Sequence, residues 1–227
     1  MQVRVTPSVA DVRESWRTER INAAVYDAGV ERERVARVMG GLIWGTDTRR
    51  MFASIEELGS EADGTAILDL PCGGGLALRG LRPEQAVRYV AADISPYMLE
   101  RADRQAARRG LDRVEFVEAD AMALPFENGS FDLCLSYNGL HCLPEQQPAL
   151  AEIARVLRPA GRLRGTAVVN GRGLRQDALI QLFRRASAFG ETTTAAELRL
   201  GLEDAGLENI SVEASGALAH FSARQPR

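Results

Sequence analysis

The stretch Ala66-Ile67-Leu68-Asp69-Leu70-Pro71-Cys72-Gly73-Gly74-Gly75 decides the fold. Ile67-Leu68-Asp69-Leu70 is a short apolar run of the kind that forms a buried strand. It stops at Pro71 and passes into three consecutive glycines. Glycine has no Cβ, so such a turn can be tight and lets a ligand approach the backbone closely. Working outward, the next acidic residue that ends an apolar strand is Asp93, in Tyr89-Val90-Ala91-Ala92-Asp93. A carboxylate in that place suits the two hydroxyls of a ribose. Strand, glycine turn and second-strand acid together describe an α/β fold built to hold a nucleoside.

The 227-residue chain, 45% hydrophobic, can bury a full core as one α/β domain. A net charge of −3 builds in no pull toward nucleic acid or an anionic membrane. All 28 basic residues are arginines, and pairs such as Arg108-Arg109 read as solvated helix faces. Cys72, Cys134 and Cys142 form no C-x-x-C pair, and an odd count does not suggest a disulfide framework. All three read as small buried hydrophobes. With His141 and His220 the only histidines, no metal site is expected. The sequence has neither a signal-peptide pattern nor an apolar run of membrane-spanning length, so a cytoplasmic setting is expected.

Residues 9 to about 58 show helical periodicity (Val12, Trp16, Ile21, Val25, then Val35, Val38, Met39, Leu42, Ile43). This predicts a helical N-terminal cap over residues 1–60, packed on a core of residues 61–227. From residue 66 strands and helices alternate. Strands are predicted at 66–71, 88–93, 114–118, 131–136 and 162–169. Helices are predicted at about 75–81, 96–109, 145–157, 174–187 and 194–206. Ser95-Pro96 supplies an N-cap and an N1 proline, and Gly206 sits where a C′ glycine belongs. Five alternating units argue for a parallel, doubly wound sheet with helices on both faces. Two further strands, about 209–214 and 217–224, are separated by Ser215-Gly216 and read as an antiparallel hairpin at its edge. The expectation is a Rossmann-like, seven-stranded, mostly parallel sheet.

The glycine turn by itself is shared with dinucleotide-binding folds, but their third position is missing. Counting Gly73-x-Gly75-x-x, the next residue is Leu78, where helix–strand packing wants Gly or Ala. The site suits a nucleoside without a pyrophosphate. Asp69-Leu-Pro-Cys-Gly-Gly-Gly75 resembles the first motif of class I S-adenosylmethionine (SAM)-dependent methyltransferases. Asp93 is similar to their ribose-binding acid, and Glu118-Ala119-Asp120-Ala121 to their adenine-edge motif. Phe131-Asp132-Leu133-Cys134-Leu135-Ser136 resembles their fourth strand, and the segment Glu152–Leu163 the approach to the fifth. The likeness covers roughly residues 61 to 227. It departs at Pro71, where the family usually has glycine; proline fixes φ and gives up a donor.

The resemblance implies SAM as cofactor and assigns roles. Asp69 would orient the loop and reach the amino-acid part of SAM through water or a backbone group, with Pro71 and Cys72 in the turn. Gly73 and Gly75 would make room for the methionine portion. Asp93 would bind the ribose hydroxyls and Ile94 would pack on the adenine. Asp120 would accept from the adenine amino group while the Ala121 N–H donates to a ring nitrogen. Ser136 and Tyr137 would face the sulfonium. A helix-capping Asp69, a turn Asp93 and a surface Asp120 are the plainer alternatives.

His141 lies in Tyr137-Asn138-Gly139-Leu140-His141-Cys142, beyond the fourth strand. It is either a base that takes a proton from the acceptor or a residue bonded to backbone that holds the loop. Tyr137, counted with it among the catalytic candidates, and Asn138 orient substrate or make turn hydrogen bonds. Val25-Tyr26-Asp27 and Gly41-Leu-Ile-Trp44-Gly45 loosely resemble the ubiquinone/menaquinone C-methyltransferases. Tyr26 and Trp44 then line the substrate side, or they are packing aromatics. The expected function is methyl transfer from SAM to a small, apolar or aromatic acceptor by a monomer or homodimer. A SAM-binding protein with a regulatory or non-methylating role would keep the same motifs, and a nicotinamide-dependent oxidoreductase would share the sheet but bind NAD(P)H.

Overall fold

A computed structural model describes residues 40–227, together with Val12, Glu14 and Val38. Tyr26 and most of the predicted N-terminal helical run lie outside the described residues. What is described of that run is a π-helical turn Gly40–Trp44, helix α1 (Arg49–Glu56) and a 3-10 turn Glu57–Ser60.

Seven strands form one sheet: β1 (Ala66–Asp69), β2 (Arg88–Asp93), β3 (Val114–Glu118), β4 (Phe131–Tyr137), β5 (Leu157–Val168), β6 (Glu208–Ser215) and β7 (Leu218–Arg224). Their order is β3-β2-β1-β4-β5-β7-β6. The first five pair in parallel, and β7 joins β5 and β6 antiparallel. The chain steps outward from β1 to β2 and β3, then returns to the other side of β1 to lay down β4 and β5. Neighbouring connections therefore leave in opposite directions between β1 and β4, which opens a crevice at the carboxyl ends of the strands.

Side-chain alternation sorts the sheet residues onto two faces. Ile67, Tyr89, Ala91, Leu133 and Leu135 pack with Met51, Phe52 and Ile55 of α1 and with Ala102 and Ala106 of α2 (Pro96–Arg108). Leu68, Val90, Ala92 and Cys134 pack on the opposite face, with α3 (Gln146–Val156) and α5 (Ala195–Asp204). A smaller cluster joins α4 (Leu174–Arg185) to the sheet through Ile180, Phe189 and Leu218. Among the described residues no helix is long and apolar enough to cross a membrane.

Local chemistry sets the boundaries. The Ser95 hydroxyl accepts from Met98 N–H, and Pro96 opens α2. Thr194 and Glu197 close a capping box on α5, and Gly206 ends it at φ +82°. The expected helix at 75–81 is instead a 3-10 turn, Leu76–Gly80. Gly80 lies so close to α1 that a Cβ there would fall 1.9 Å from the Ile55 carbonyl oxygen. This segment is shaped by its contact with α1, which no local pattern encodes. Strand β5 begins five residues earlier than expected, because Leu157 already pairs with Phe131 across a bulge.

Candidate functional site

The carboxyl ends of β1 to β4 surround a single cavity. The turn after β1 contributes Leu70, Pro71, Cys72, Gly73 and Gly74. Asp93 and Ile94 after β2, and Ala119, Asp120 and Ala121 after β3, form one end. Tyr137, Asn138 and Gly139 after β4 face them, with Cys142, Leu143 and Pro144 at the rim.

The glycine turn is fastened by Cys72 N–H donating to Ala92 O and Gly75 N–H to Cys72 O. Gly73 has φ +53°, and a Cβ built there meets nothing within 4 Å, because the cavity lies in front of it. Gly75 does other work. At φ +89° its Cβ would lie 2.7 Å from Leu78 and 3.2 Å from Ala102 Cα, so this glycine lets α2 pack on the turn. The expectation that Gly75 makes room for ligand is corrected: Gly73 and Gly74 line the cavity and Gly75 does not.

Asp93 is buried at the cavity wall. Its two oxygens accept from Gly73 N–H and Ser95 N–H, each at 2.9 Å. Burial pushes its carboxyl up to about 6, against the pull of these backbone bonds. A carboxylate offers about four acceptor positions, so capacity remains for a diol. At the far end the Asp120 carboxylate accepts from Met122 N–H, which closes the turn, and Ala121 lies beside it on the wall.

Asp69 is not on the wall. It is buried beneath the turn, where the Tyr89 hydroxyl donates to its Oδ2 at 2.8 Å. Burial raises this carboxyl to about 7; the Tyr89 bond opposes the shift and the charge of Asp93 adds to it. Asp69 thus sits under the turn and off the cavity wall, where it supports the loop from below. Ser136 is likewise fully buried off the wall, correcting its expected place beside the sulfonium, and among the described residues its hydroxyl has no hydrogen-bond partner.

At the end of β4, Tyr137 shares a 2.8 Å hydrogen bond with Ser54 of α1. Asn138 takes φ +57° and is held by Thr166, whose carbonyl accepts from its N–H at 2.8 Å and whose hydroxyl donates to its Oδ1 at 2.9 Å. These are the turn hydrogen bonds weighed for it, made at the cavity wall. The Leu70–Pro71 peptide is cis, and Pro71 packs on Gly139, where a Cβ would fall 2.3 Å from Pro71 Cδ.

His141 does not reach the cavity. Its ring is fully buried, edge-on to Phe189 at 4.5 Å, and its Nδ1 accepts from Val168 N–H at 3.1 Å. Burial lowers its pKa to about 3, so it is neutral near pH 7. The geometry supports the backbone-bonded alternative over the base. Trp44 stacks on Phe189, lies tilted against Phe183, and its carbonyl accepts from Ala217 N–H. It is a packing aromatic and does not line the cavity. Gly74, Gly139 and Cys142 were missed as lining residues; Gly74 was the nearest to legible, flanked by glycines already assigned to the turn.

Residues 68–164 match the family described as "Methyltransferase domain". That segment is similar in sequence to a methyltransferase domain. A demethylmenaquinone methyltransferase of Thermus thermophilus is 42% identical over 123 residues, 54% of this chain and 55% of that protein. A 27-O-demethylrifamycin SV methyltransferase of Amycolatopsis mediterranei is 34% identical over 158 residues, 66% of this chain and 56% of that protein. The chain thus spans about half the length of the curated relatives it matches. Among solved structures, a Haemonchus contortus phosphoethanolamine N-methyltransferase 2 in complex with SAM superposes at TM-score 0.73, with 16% identity over 95% of this chain and 60% of that one. The [4+2]-cyclase SpnF superposes at 0.67, with 21% identity over 99% and 98%. These two likenesses show a shared fold.

Asp69 holds its proton more tightly in the folded domain than in the unfolded chain, so stability falls as pH rises from about 4 through about 7. Asp69→Asn keeps an acceptor for Tyr89 and cannot ionise. It should flatten that slope and stabilise the domain at pH 8 by up to the order of 4 kcal/mol, read by denaturant melts across pH. His141→Ala leaves the Val168 N–H unpaired in the interior. It should cost about 2–4 kcal/mol of stability while S-adenosylhomocysteine (SAH) affinity, measured by calorimetry, stays within about twofold.

Proposed function

We propose that this protein transfers the methyl group of SAM to a small organic acceptor that is apolar or aromatic. The observation that carries this reading is the cavity itself. One crevice brings together a side-chain-free turn at Gly73-Gly74, a buried diol acceptor at Asp93 and an acid beside a backbone donor at Asp120-Ala121. That order of groups fits an adenosyl moiety lying from β3 toward β1. The acceptor side is apolar at Cys142, Leu143 and Pro144, which supports an apolar substrate. So do the relatives named for demethylmenaquinone and demethylrifamycin.

SAM supplies an activated methyl group on a sulfonium, so no protein nucleophile is required. This chain's task is alignment and exclusion of water, which in favourable intramolecular systems is worth up to roughly 7–11 kcal/mol. Gly73 and Gly74 let the cofactor approach the backbone, Asp93 and Asp120 fix its adenosyl end, and Tyr137 and Asn138 form the opposing wall. His141 takes no part in proton transfer in this reading.

Purified protein should bind SAM and SAH at micromolar concentration and not NADH. Incubation with methyl-labelled SAM should label reduced naphthoquinones or phenols; labelling only of polar amines or nucleic acid would refute the acceptor class. Asp93 must be ionised to accept two ribose hydroxyls. SAH affinity should therefore weaken as pH falls through about 6, by up to about tenfold per pH unit. Asp93→Asn should bind SAH at least about tenfold more weakly at pH 8 and lose that pH dependence, with its fold checked by circular dichroism.

A further inference from the structure

Large apolar side chains left in water gather on one part of the surface. Among the described residues the exposed large hydrophobics are Val38, Leu42, Leu174, Leu182 and Leu200. All but Leu200 lie on two adjoining segments. Leu42 stands on the turn Gly40–Trp44 with Val38 just before it, and Leu174 and Leu182 stand on α4. The segments run side by side: a Cβ on Gly45 would lie 3.5 Å from Gln176 Nε2, and the Trp44 and Phe183 rings are 6.1 Å apart. Single exposed leucines are ordinary, whereas a gathered set marks a contact surface.

Helix α4 has two unlike sides. Ile180 is fully buried on the inner one, in a cluster with Cys142, Val168, Phe189 and Leu218. Leu174, Ala178 and Leu182 recur every four residues on the outer one and all are exposed, Leu174 at 92%. Arg175 and Arg185 are exposed on that outer side too, near its two ends, and it carries no acid. Between Arg172 and Arg185 the sequence has four arginines and one acid, Asp177, whose carboxylate accepts from Gly171 N–H at 2.9 Å. A chain of net charge −3 thus concentrates positive charge around its exposed leucines.

That combination complements an anionic bilayer. Leucines leave water for the acyl boundary, while arginines lay their stems along it and keep their guanidinium groups among the headgroups. A nucleic acid would use the arginines and leave the leucines in water. The location also matters. Cys142 belongs to the cluster under α4 and lines the cavity beside Leu143 and Pro144, so the helix stands next to the cavity's apolar rim.

We propose that the outer side of α4, together with the turn Gly40–Trp44, docks on an anionic lipid bilayer and sets the apolar rim of the cavity beside it. The bilayer is then the source from which an apolar acceptor reaches the site. That last step rests on the acceptor class proposed above; the docking itself does not.

The test floats the purified protein with vesicles of phosphatidylcholine, alone or with about one third phosphatidylglycerol. The protein should rise with the mixed vesicles and not with the neutral ones. Raising salt from about 0.1 to about 0.5 M should cut the bound fraction several-fold. Leu174→Asp combined with Leu182→Asp should lower the partition at least about tenfold. Arg175→Gln combined with Arg185→Gln should lower it about 5- to 30-fold. These side chains stand in water, so SAH affinity by calorimetry should stay within about twofold in both variants. No binding to the mixed vesicles, equal binding to the neutral ones, or variants that bind like the unaltered protein would each overturn the proposal. So would a dimer seen by ultracentrifugation, without vesicle binding, that the leucine pair abolishes, since the face would then belong to a second copy. A protein that docks but binds no SAH would keep this proposal and overturn the methyltransferase reading.

Discussion

The Asp93 carboxylate fastens two loops at once. One oxygen accepts from the N–H of Gly73 in the turn after β1, and the other from the N–H of Ser95 at the start of α2. Without it both loops would leave a backbone donor unpaired at a partly buried, largely apolar cavity. In the proposed reading the same group also accepts from a diol, which the acceptor positions left over by the two loops allow.

Holding that group costs the domain some stability. Asp93 and Asp69 are both buried within one face of neighbouring strands, and each carries a pKa raised by burial, Asp69 to about 7. Tyr89 bonds Asp69 and relieves part of the penalty. Acids kept in such surroundings are typical of functional sites. Here the strain is concentrated under the glycine turn, where a cationic ligand would lessen it.

Much of the fold was legible because the sheet obeys period-2 alternation and the helix ends are capped by residues with one job, as at Ser95-Pro96 and Gly206. The hairpin of β6 and β7 followed from the lack of room for a crossover helix around Ser215-Gly216. Residues whose roles depend on backbone chemistry, namely Gly73, Asp93, Asp120 and Ala121, fell on the cavity wall as their spacing suggested. Misplaced residues have a common cause. Asp69, Gly75, Ser136 and His141 each lie next to a lining residue in sequence, Trp44 does not, and whether a side chain points into a crevice or beneath it is set by packing from distant segments. Phe189 covers His141, Ala102 claims the space at Gly75, and the hairpin receives Trp44. None of these partners is within reach of a local pattern.

The contact between Pro71 and Gly139 ties two distant positions into one choice. Gly139 has an ordinary φ of −98°, so its backbone does not require glycine; the proline ring does. Substitution at 139 is closed while proline stands at 71, and with glycine there the closest remaining contact would be the Ser136 hydroxyl at 3.1 Å. Lineages of this domain should therefore change the two sites together, proline first only where 139 already lacked a side chain. The order of those steps is written into a 2.3 Å collision.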